Sequence, residues 1–327
     1  MSMSFNIVTV ICALLIEAGF GYPDSLIDRV KHPVMWMGAL LERLDGWLNH
    51  PSRPEAERRL NGWIALGLLL TASVLPAVAL QCIALQLPGP LALILLALLA
   101  STLIAQRSLY EHVAAVADAL DTRGLEAGRK AVAKIVGRDT STLDDAGVAR
   151  AAMESLAENF SDGVVAPAFW GVLLGLPGMV AYKAVNTADS MIGHRTPRHE
   201  AFGFAAAKVD DMINLPASRL AALWIALAAW FHDDADISRA LEIVQRDAGQ
   251  HRSPNAGWPE AAMAGALGLK LSGPRSYHRA ITEDAWIGEG RSEATSADIR
   301  RALGLYMTAC TLQIFALGAL AFLIALI

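Results

Sequence analysis

Twenty-five consecutive residues, Trp63 to Leu87, carry no charge, and this run constrains the fold more than any other stretch. At about 1.5 Å per residue, a helix of that length crosses a hydrocarbon core about 30 Å thick. Inside such a core the backbone has no water to bond, so the segment must satisfy its polar groups internally as a helix. Pro88-Gly89-Pro90 ends the run, and a second uncharged stretch, Leu91 to Gln106, follows at once. The pair, 63–87 and 91–106, predicts a tight transmembrane hairpin. Leu305 to Ile327 is a third uncharged run long enough to span. Near the start, 4–20 has an apolar stretch from Phe5 to Ile16 but lacks a basic n-region and an A-x-A site, which predicts a retained first membrane segment over a cleaved signal. At its length a buried helix is the competing expectation.

Two further blocks are interrupted. Residues 164–185 carry Pro167, Pro177 and Lys183, and residues 215–231 carry Pro216 and Arg219. Each either spans, re-enters, or packs inside the bundle. Lys plus Arg counts are six in 21–62, seven in 107–163, three in 186–214 and nine in 232–304. The positive-inside tendency puts 21–62, 107–163 and 232–304 on the cytoplasmic side. The two interrupted blocks therefore both cross or both fail to cross, and 186–214 lies outside in the first case and inside in the second.

The expected fold is an all-α polytopic membrane protein, a helical bundle with about four to six membrane segments, some broken or re-entrant, and helical cytoplasmic loops. Residues 1–327 are read as a single integral-membrane domain. Residues 107–136 favour amphipathic helix, 140–145 hold turn and cap residues, and 148–158 resume the helical pattern. No strand-rich region is expected. With 27 basic against 32 acidic residues, nucleic acid is not an expected partner. Cys12, Cys82 and Cys310 are far apart in apolar blocks and read as small buried hydrophobes.

No phosphate loop, dinucleotide fingerprint, HExxH or GxSxG is present, so nucleotide chemistry would need a less familiar site. Glu154, Glu158 and Asp162 recur every four residues and stack along one face if helical. A solvated acidic face is one reading, and a divalent cation compensating the repulsion is the other. Lys183, Asn186, Thr187 and Ser190 share a helical face after an apolar run, where a snorkelling lysine competes with a site. Asp210, Asp211 and Asn214 precede another apolar block and read equally as a cap. Gly137-Arg138-Asp139-Thr140 puts an arginine near phosphate or simply ends a helix. In Ser253-Pro254-Asn255-Ala256-Gly257-Trp258-Pro259-Glu260, two prolines fix the backbone around Asn255 and Glu260, as a rigid site loop requires. His32 opens a second shaped loop, and as a lone histidine it is more often a structural hydrogen-bonder. Trp36, Trp170 and Trp258 fit membrane-interface packing or contact with a ring.

These residues together resemble the adenosylcobinamide-phosphate synthase family of cobalamin biosynthesis. The resemblance rests on His-Pro-Val-x-x-Met-Gly at 32–38, Gly-Arg-Asp-Thr at 137–140 and Glu-Ser-x-Ala-Glu-Asn at 154–159. It continues through Ser-Asp-Gly-Val-Val-Ala-Pro at 161–167, Tyr-Lys-Ala-Val-Asn-Thr-x-Asp-Ser-Met at 182–191 and Ser-Pro-Asn-Ala-Gly-Trp-Pro-Glu-Ala at 253–261. Two departures stand out: Tyr22 where the family has Asp in Gly-Asp-Pro, and Arg279 where the Gly-Pro-x-x-Tyr-x-Gly ending has its last glycine.

The resemblance implies an ATP-dependent ligase of the bacterial inner membrane with its site open to the cytoplasm. It would join a propionate carboxylate of adenosylcobyric acid to (R)-1-aminopropan-2-ol or its O-phosphate, through an acyl phosphate. ATP and Mg2+ are the implied cofactors, with membrane lipid around the chain and a homo-oligomer or other corrinoid-pathway enzymes as possible associates. Glu154, Glu158, Asp162, Asp189 and Asp211 are the candidates to hold Mg2+. Lys183 and Arg138 would neutralise phosphate charge. Asn159, Asn186, Thr187, Asn255 and His32 would orient substrates, and Glu260 would also accept the amine's proton, so that Glu158, Lys183 and Glu260 are the catalytic candidates. The ATP requirement further implies that 154–167, 182–191 and 253–261 face the cytoplasmic side. The alternative is a non-catalytic transporter or scaffold of corrinoid metabolism.

Overall fold

The computed structural model describes residues 2–22, 31–273, 275–277, 280–282 and 285–326. Pro274, His278 and Arg279, and Pro23 of the Gly21-Tyr22-Pro23 turn, lie outside the described residues. The helices are α1 (Met3–Phe20), α2 (Pro33–Leu48), α3 (Glu55–Ala84), α4 (Gly89–Ser101), α5 (Gln106–Arg123), α6 (Leu125–Val132), α7 (Asp145–Phe160), α8 (Ala166–Ile192), α9 (Phe204–Ile213), α10 (Leu215–Ala229), α11 (Ile237–Asp247), α12 (Gly257–Leu267) and α13 (Ser296–Ala325). A π-helical turn, Ser161–Val165, joins α7 to α8. Four very short strands, β1 (Leu271–Ser272), β2 (Arg275–Tyr277), β3 (Ala280–Thr282) and β4 (Trp286–Ile287), pair antiparallel as β1–β4 and β2–β3. They were not expected, because runs of two or three residues leave no readable alternation in the sequence.

The protein is thus an all-α polytopic membrane protein. Five helical stretches are long and apolar enough to cross a membrane: Met3–Phe20, Glu55–Ala84, Gly89–Arg123, Asp145–Ile192 and Ser296–Ala325; α9 and α10 together, broken at Asn214, make a sixth. Caps set several starts. Asp144 accepts from the Gly147 amide at 2.7 Å, and Asp236 accepts from that of Arg239 at 3.0 Å. Between α5 and α6, Gly124 at φ 75° breaks what the sequence offers as one amphipathic stretch.

The chain divides into two compact units. The first comprises 1–105, 166–214 and 317–327. In it α1 packs on α4 and α8, and α3 packs on α2, α8 and α9. Sixty-one per cent of the apolar window in Asp145–Ile192 is buried, against 22% for α3 and 17% for α13. The interrupted block 164–185 is therefore core helix, whereas α3 and α13 present broad apolar faces outward. That outward exposure corrects the reading of the cysteines: only Cys310 is buried, and Cys82 is exposed. An apolar residue on a spanning helix meets lipid as readily as protein.

One ambiguity of topology closes inside this unit. Asp45 of α2 accepts from Arg198, Asn49 donates to the Arg198 carbonyl at 3.0 Å, and Arg58 also donates to that carbonyl. Gly62 packs directly against the Phe202 backbone, where a Cβ would come within 2.0 Å of the carbonyl oxygen. Groups on opposite sides of a core about 30 Å thick cannot make such contacts. The segment 193–203 therefore shares a side with the α2–α3 corner, which fits the alternative in which 186–214 lies on the same side as 21–62. The long stretch Asp145–Ile192 is not one straight helix. Its interior departures from α-helix, the π-turn and Gly175 at φ 68° followed by Pro177, are where a straight crossing is interrupted.

The second unit comprises 106–165 and 215–316. There α12 packs on α11, α10 and α7, while α5 packs on α6 and α7. Phe160 and Tyr306 stack edge-on at 5.4 Å, and the Tyr306 hydroxyl donates to the Gln106 carbonyl at 2.7 Å.

Candidate functional site

In the second unit, Arg138 and Glu154 form a buried ion pair. Arg138 Nη2 stands 2.8 Å from Glu154 Oε2, and the two side chains are 10% and 7% exposed. The other carboxylate oxygen, Oε1, accepts from the backbone amide of Ser272 at 2.8 Å. Ser272 is itself at φ 62°, a left-handed conformation that costs a non-glycine residue energy, and the Glu154 bond pins it there. Both oxygens of Glu154 are thus engaged by the protein, and the charge of Arg138 is met from within.

The expected acidic stack is altered. Glu154 and Glu158 lie in α7, but Asp162 lies in the π-turn, where i→i+5 bonds carry it out of the four-residue register. Glu154 is buried, Glu158 is exposed and Asp162 is half-buried. Asn159 donates to the Ser155 carbonyl at 2.9 Å, and the Ser155 hydroxyl donates to that of Ile135 at 2.7 Å.

Asn255 lies just before α12, and Glu260 lies in its first turn. Ser253 Oγ accepts from the amides of Asn255 and Ala256, both at 3.2 Å. Asn255 Oδ1 in turn accepts from Ser218 Oγ at 3.1 Å and from Arg219 Nη1 at 3.0 Å. The Arg219 guanidinium lies over the Trp258 ring at 4.3 Å. Glu260 is 1% exposed, with His251 Nε2 at 3.8 Å from its Oε1. Sequence reasoning missed His251 and Ser218, whose residue types carry no local signal; Arg219 had one, a charge in an otherwise apolar helix.

In the first unit, the polar end of α8 meets α9. The Tyr182 hydroxyl donates to Asn214 Oδ1 at 2.9 Å, and Asn214 Nδ2 donates to Asp210 Oδ2 at 2.9 Å. Asn186 is a further hydrogen-bonding neighbour of Asp210, and Asp189 and Asp211 lie within its electrostatic reach. Asp210, which the sequence offers equally as a cap, is thus the buried centre of the group, while Asp211 is only partly covered and faces Lys208 at 4.0 Å. Thr187 is buried and its hydroxyl donates to the Lys183 carbonyl at 2.7 Å. Gly193 was overlooked: a Cβ there would stand 1.9 Å from Asp189 Oδ1, so the carboxylate occupies the space that the missing side chain leaves.

His32 also belongs to this group. Its Nδ1 accepts from the Val34 amide at 3.3 Å, capping α2 ahead of Pro33. Burial first, and the Lys183 charge second, push its pKa below the ordinary histidine value, against a hydrogen bond with the Thr102 backbone. The imidazole is therefore neutral at pH 7, and the structure brings His32 and Lys183 together as the separate motifs did not foretell. Trp36 is about half exposed, and Trp170 donates to the Ile213 carbonyl at 3.2 Å.

Among the described residues, no three His, Cys, Asp or Glu side chains are grouped to hold a metal ion. The predicted site residues fall into the two units: His32, Lys183, Asn186, Thr187, Asp189 and Asp211 in the first, and Arg138, Glu154, Glu158, Asn159, Asp162, Asn255 and Glu260 in the second.

The chain is a polytopic helical membrane protein, and each of its two units holds buried polar side chains. Comparison with known proteins narrows the class. The family described as CobD/Cbib protein matches residues 10–306. The chain is 48% identical to a "Cobalamin biosynthesis protein CobD" of Sinorhizobium over 95% of this chain and 97% of the relative. It is 47% identical to the protein of that name from Rhodobacter capsulatus, over 98% of each chain, and 46% identical to that from Rhizobium meliloti, again over 98% of each. No solved structure matches the chain. The chain belongs to the CobD/Cbib family.

Proposed function

We propose that this chain catalyses ATP-dependent amide-bond formation between a propionate carboxylate of adenosylcobyric acid and (R)-1-aminopropan-2-ol or its O-phosphate. The coarser assignment, a membrane protein of cobalamin biosynthesis, follows from the family. What supports the finer one is a group of polar side chains held by folded structure in each unit, His32, Lys183 and Asn186 in the first and Asn255 and Glu260 in the second.

A carboxylate is inert to amines because its oxygen is a poor leaving group. In the proposed reaction the carboxylate oxygen attacks the terminal phosphorus of ATP, ADP departs, and an acyl phosphate forms. The amine nitrogen then attacks the acyl carbon, the bond to the phosphate oxygen breaks, and the nitrogen's proton is lost. Lys183 would stabilise charge on the transferring phosphate. Asn159, Asn186, Thr187, Asn255 and neutral His32 would orient the reactants. Glu260 would take the proton; it is sealed from solvent, so its route runs by His251.

Mg2+ fits this donor set in one mode only. A cage made by protein alone needs a group of ligands that the described residues do not form, but Mg2+ carried by a nucleotide needs just one or two carboxylates beside the phosphates. Glu158 and Asp162, or Asp189 and Asp211, would supply them, and the ion would neutralise phosphate charge. Glu154 would join them by giving up its bond to Arg138 or to the Ser272 amide.

The test is an assay of the detergent-solubilised protein with both substrates and ATP. Amide product with stoichiometric ADP, and transfer of a labelled carboxylate oxygen into phosphate, are expected. Substrate movement or partner binding without ATP consumption would instead establish a transporter or scaffold.

A further inference from the structure

Arg219 sits in α10, where every other residue from Leu215 to Ala229 is uncharged. An arginine there needs its charge met, yet all its polar contacts are neutral and all fall on one nitrogen. Nη1 donates to Ser218 Oγ at 2.8 Å, to Asn255 Oδ1 at 3.0 Å and to the Leu215 carbonyl at 3.3 Å. The Trp258 ring covers one face of the guanidinium at 4.3 Å. Among the described residues Nε and Nη2 have no hydrogen-bond partner and no carboxylate forms an ion pair with this side chain, which is only partly covered. Other arginines of the same unit contrast with it: Arg138 pairs with Glu154, Arg246 with Asp247 and Arg300 with Asp121.

The arrangement is directional. Asn255 and Trp258, two residues of the rigid Ser-Pro-Asn-Ala-Gly-Trp loop, fix the guanidinium at one nitrogen and over one face. They leave the Nε–Nη2 edge, the two-donor fork that matches a phosphoryl or carboxylate group. A carboxylate ligand and a phosphoryl ligand differ in charge, and a cation with no internal counter-charge favours the dianion. We infer that Arg219 is a phosphate-binding residue, its Nε–Nη2 edge receiving a phosphoryl oxyanion of a substrate. Arg138, for which the resemblance implies a phosphate role, differs in having the carboxylate of Glu154 beside it. This inference rests on the proposed ligation for the identity of the substrates, though not for the anion site itself. The phosphoryl group belongs either to ATP or to a phosphorylated amine donor.

The test uses the full chain in lipid nanodiscs. Wild type and Arg219→Lys are titrated separately with ATP, with 1-aminopropan-2-ol O-phosphate and with the unphosphorylated amine. The expected result is at least a tenfold loss of affinity in Arg219→Lys for one phosphorylated ligand and no change for the unphosphorylated amine. Loss for ATP alone assigns the nucleotide, and loss for the amine phosphate alone assigns the donor. Independently of any variant, saturating phosphorylated ligand should protect Arg219 of the wild type from an arginine-specific dicarbonyl, read by mass spectrometry. A folded Arg219→Lys with all affinities unchanged, or modification of Arg219 undiminished by either ligand, overturns the inference. A wild type that binds ATP through Arg219 yet forms no amide overturns the ligase reading and leaves the anion site standing.

Discussion

Arg138 Nη2 donates to Glu154 Oε2 at 2.8 Å in a pocket that leaves both side chains almost without solvent. A pair so buried resists removal of one partner far more than replacement of both, because the survivor is left as an uncompensated charge. Glu154→Gln should therefore destabilise the protein by about 3–5 kcal/mol, and it also weakens the acceptor that holds the Ser272 amide. Thermal unfolding in detergent checks this. The double variant Arg138→Met with Glu154→Leu should unfold nearer to wild type than Glu154→Gln does.

Lys183→Ala and Glu158→Gln should behave in the opposite way. Lys183 is only partly covered and Glu158 is exposed, so neither change opens a cavity in a packed core. Both variants should melt within a few degrees of wild type yet lose ligation by about 100-fold or more, the order expected for removal of an electrostatic stabiliser. Near-normal turnover in both would refute their assignment.

Two glycines separate site from scaffold. At Gly193 an added methyl meets Asp189 Oδ1 at 1.9 Å, the movable end of a side chain, although the Asp189 carbonyl is also close at 2.7 Å. At Gly203 it meets the Ile192 carbonyl at 1.7 Å, which is backbone. Gly203→Ala should abolish stable expression. Gly193→Ala should fold and lose activity by displacing the Asp189 carboxylate, a difference visible when yield and turnover are measured side by side.

The shared side of 193–203 and the α2–α3 corner has a direct check. Arg195→Cys and Ser52→Cys, both at exposed positions, should react with a membrane-impermeant maleimide from one side of sealed vesicles only, and from the same side. Opposite labelling would reject the contact of Asp45 with Arg198.

Acid sensitivity has a named source outside the spans. Asp247 is 3% exposed, and its bonds to Arg246, with a further one from the Gly288 amide, hold its pKa below the usual aspartate range although burial pushes the other way. A carboxyl depressed in the folded state contributes stability that is complete above its unfolded pKa of about 3.9, and that is lost as pH falls through the lower folded value. Asp247→Asn should lower the melting temperature at pH 7 and flatten its fall between about pH 4 and pH 2. Hydrogen exchange at the Gly288 amide should report the same loss locally.

Some of this was legible along the chain. Where 63–87 and 305–327 predict spans, the helices Glu55–Ala84 and Ser296–Ala325 are long and apolar enough to cross a membrane, because a run of apolar side chains has the same meaning wherever it lies, and α7 starts at Asp145 because Asp144 caps it locally. The motif loop 253–260 was recognisable as rigid from its own prolines. The acidic stack was half-legible: Glu154 and Glu158 lie in α7 as expected, but a π-turn has no composition of its own, so the shift of Asp162 was hidden.

What the sequence by itself determined is therefore the class, a helical membrane protein, and the residue types available for chemistry, because hydrophobic length and local caps act through near neighbours. Only the tertiary structure decided which charges are paired inside the protein. Neither arginine's distant partner is readable from its neighbours: Arg138 meets Glu154 sixteen residues on, whereas Arg219 meets Asn255 and Trp258 thirty-six and thirty-nine residues on and pairs with no carboxylate of the described residues. The side on which 193–203 lies was settled in the same way, by Asp45 reaching Arg198 across 153 residues of chain. Electrostatic and hydrogen-bond partners are properties of contact in space, and that distance along the chain does not encode.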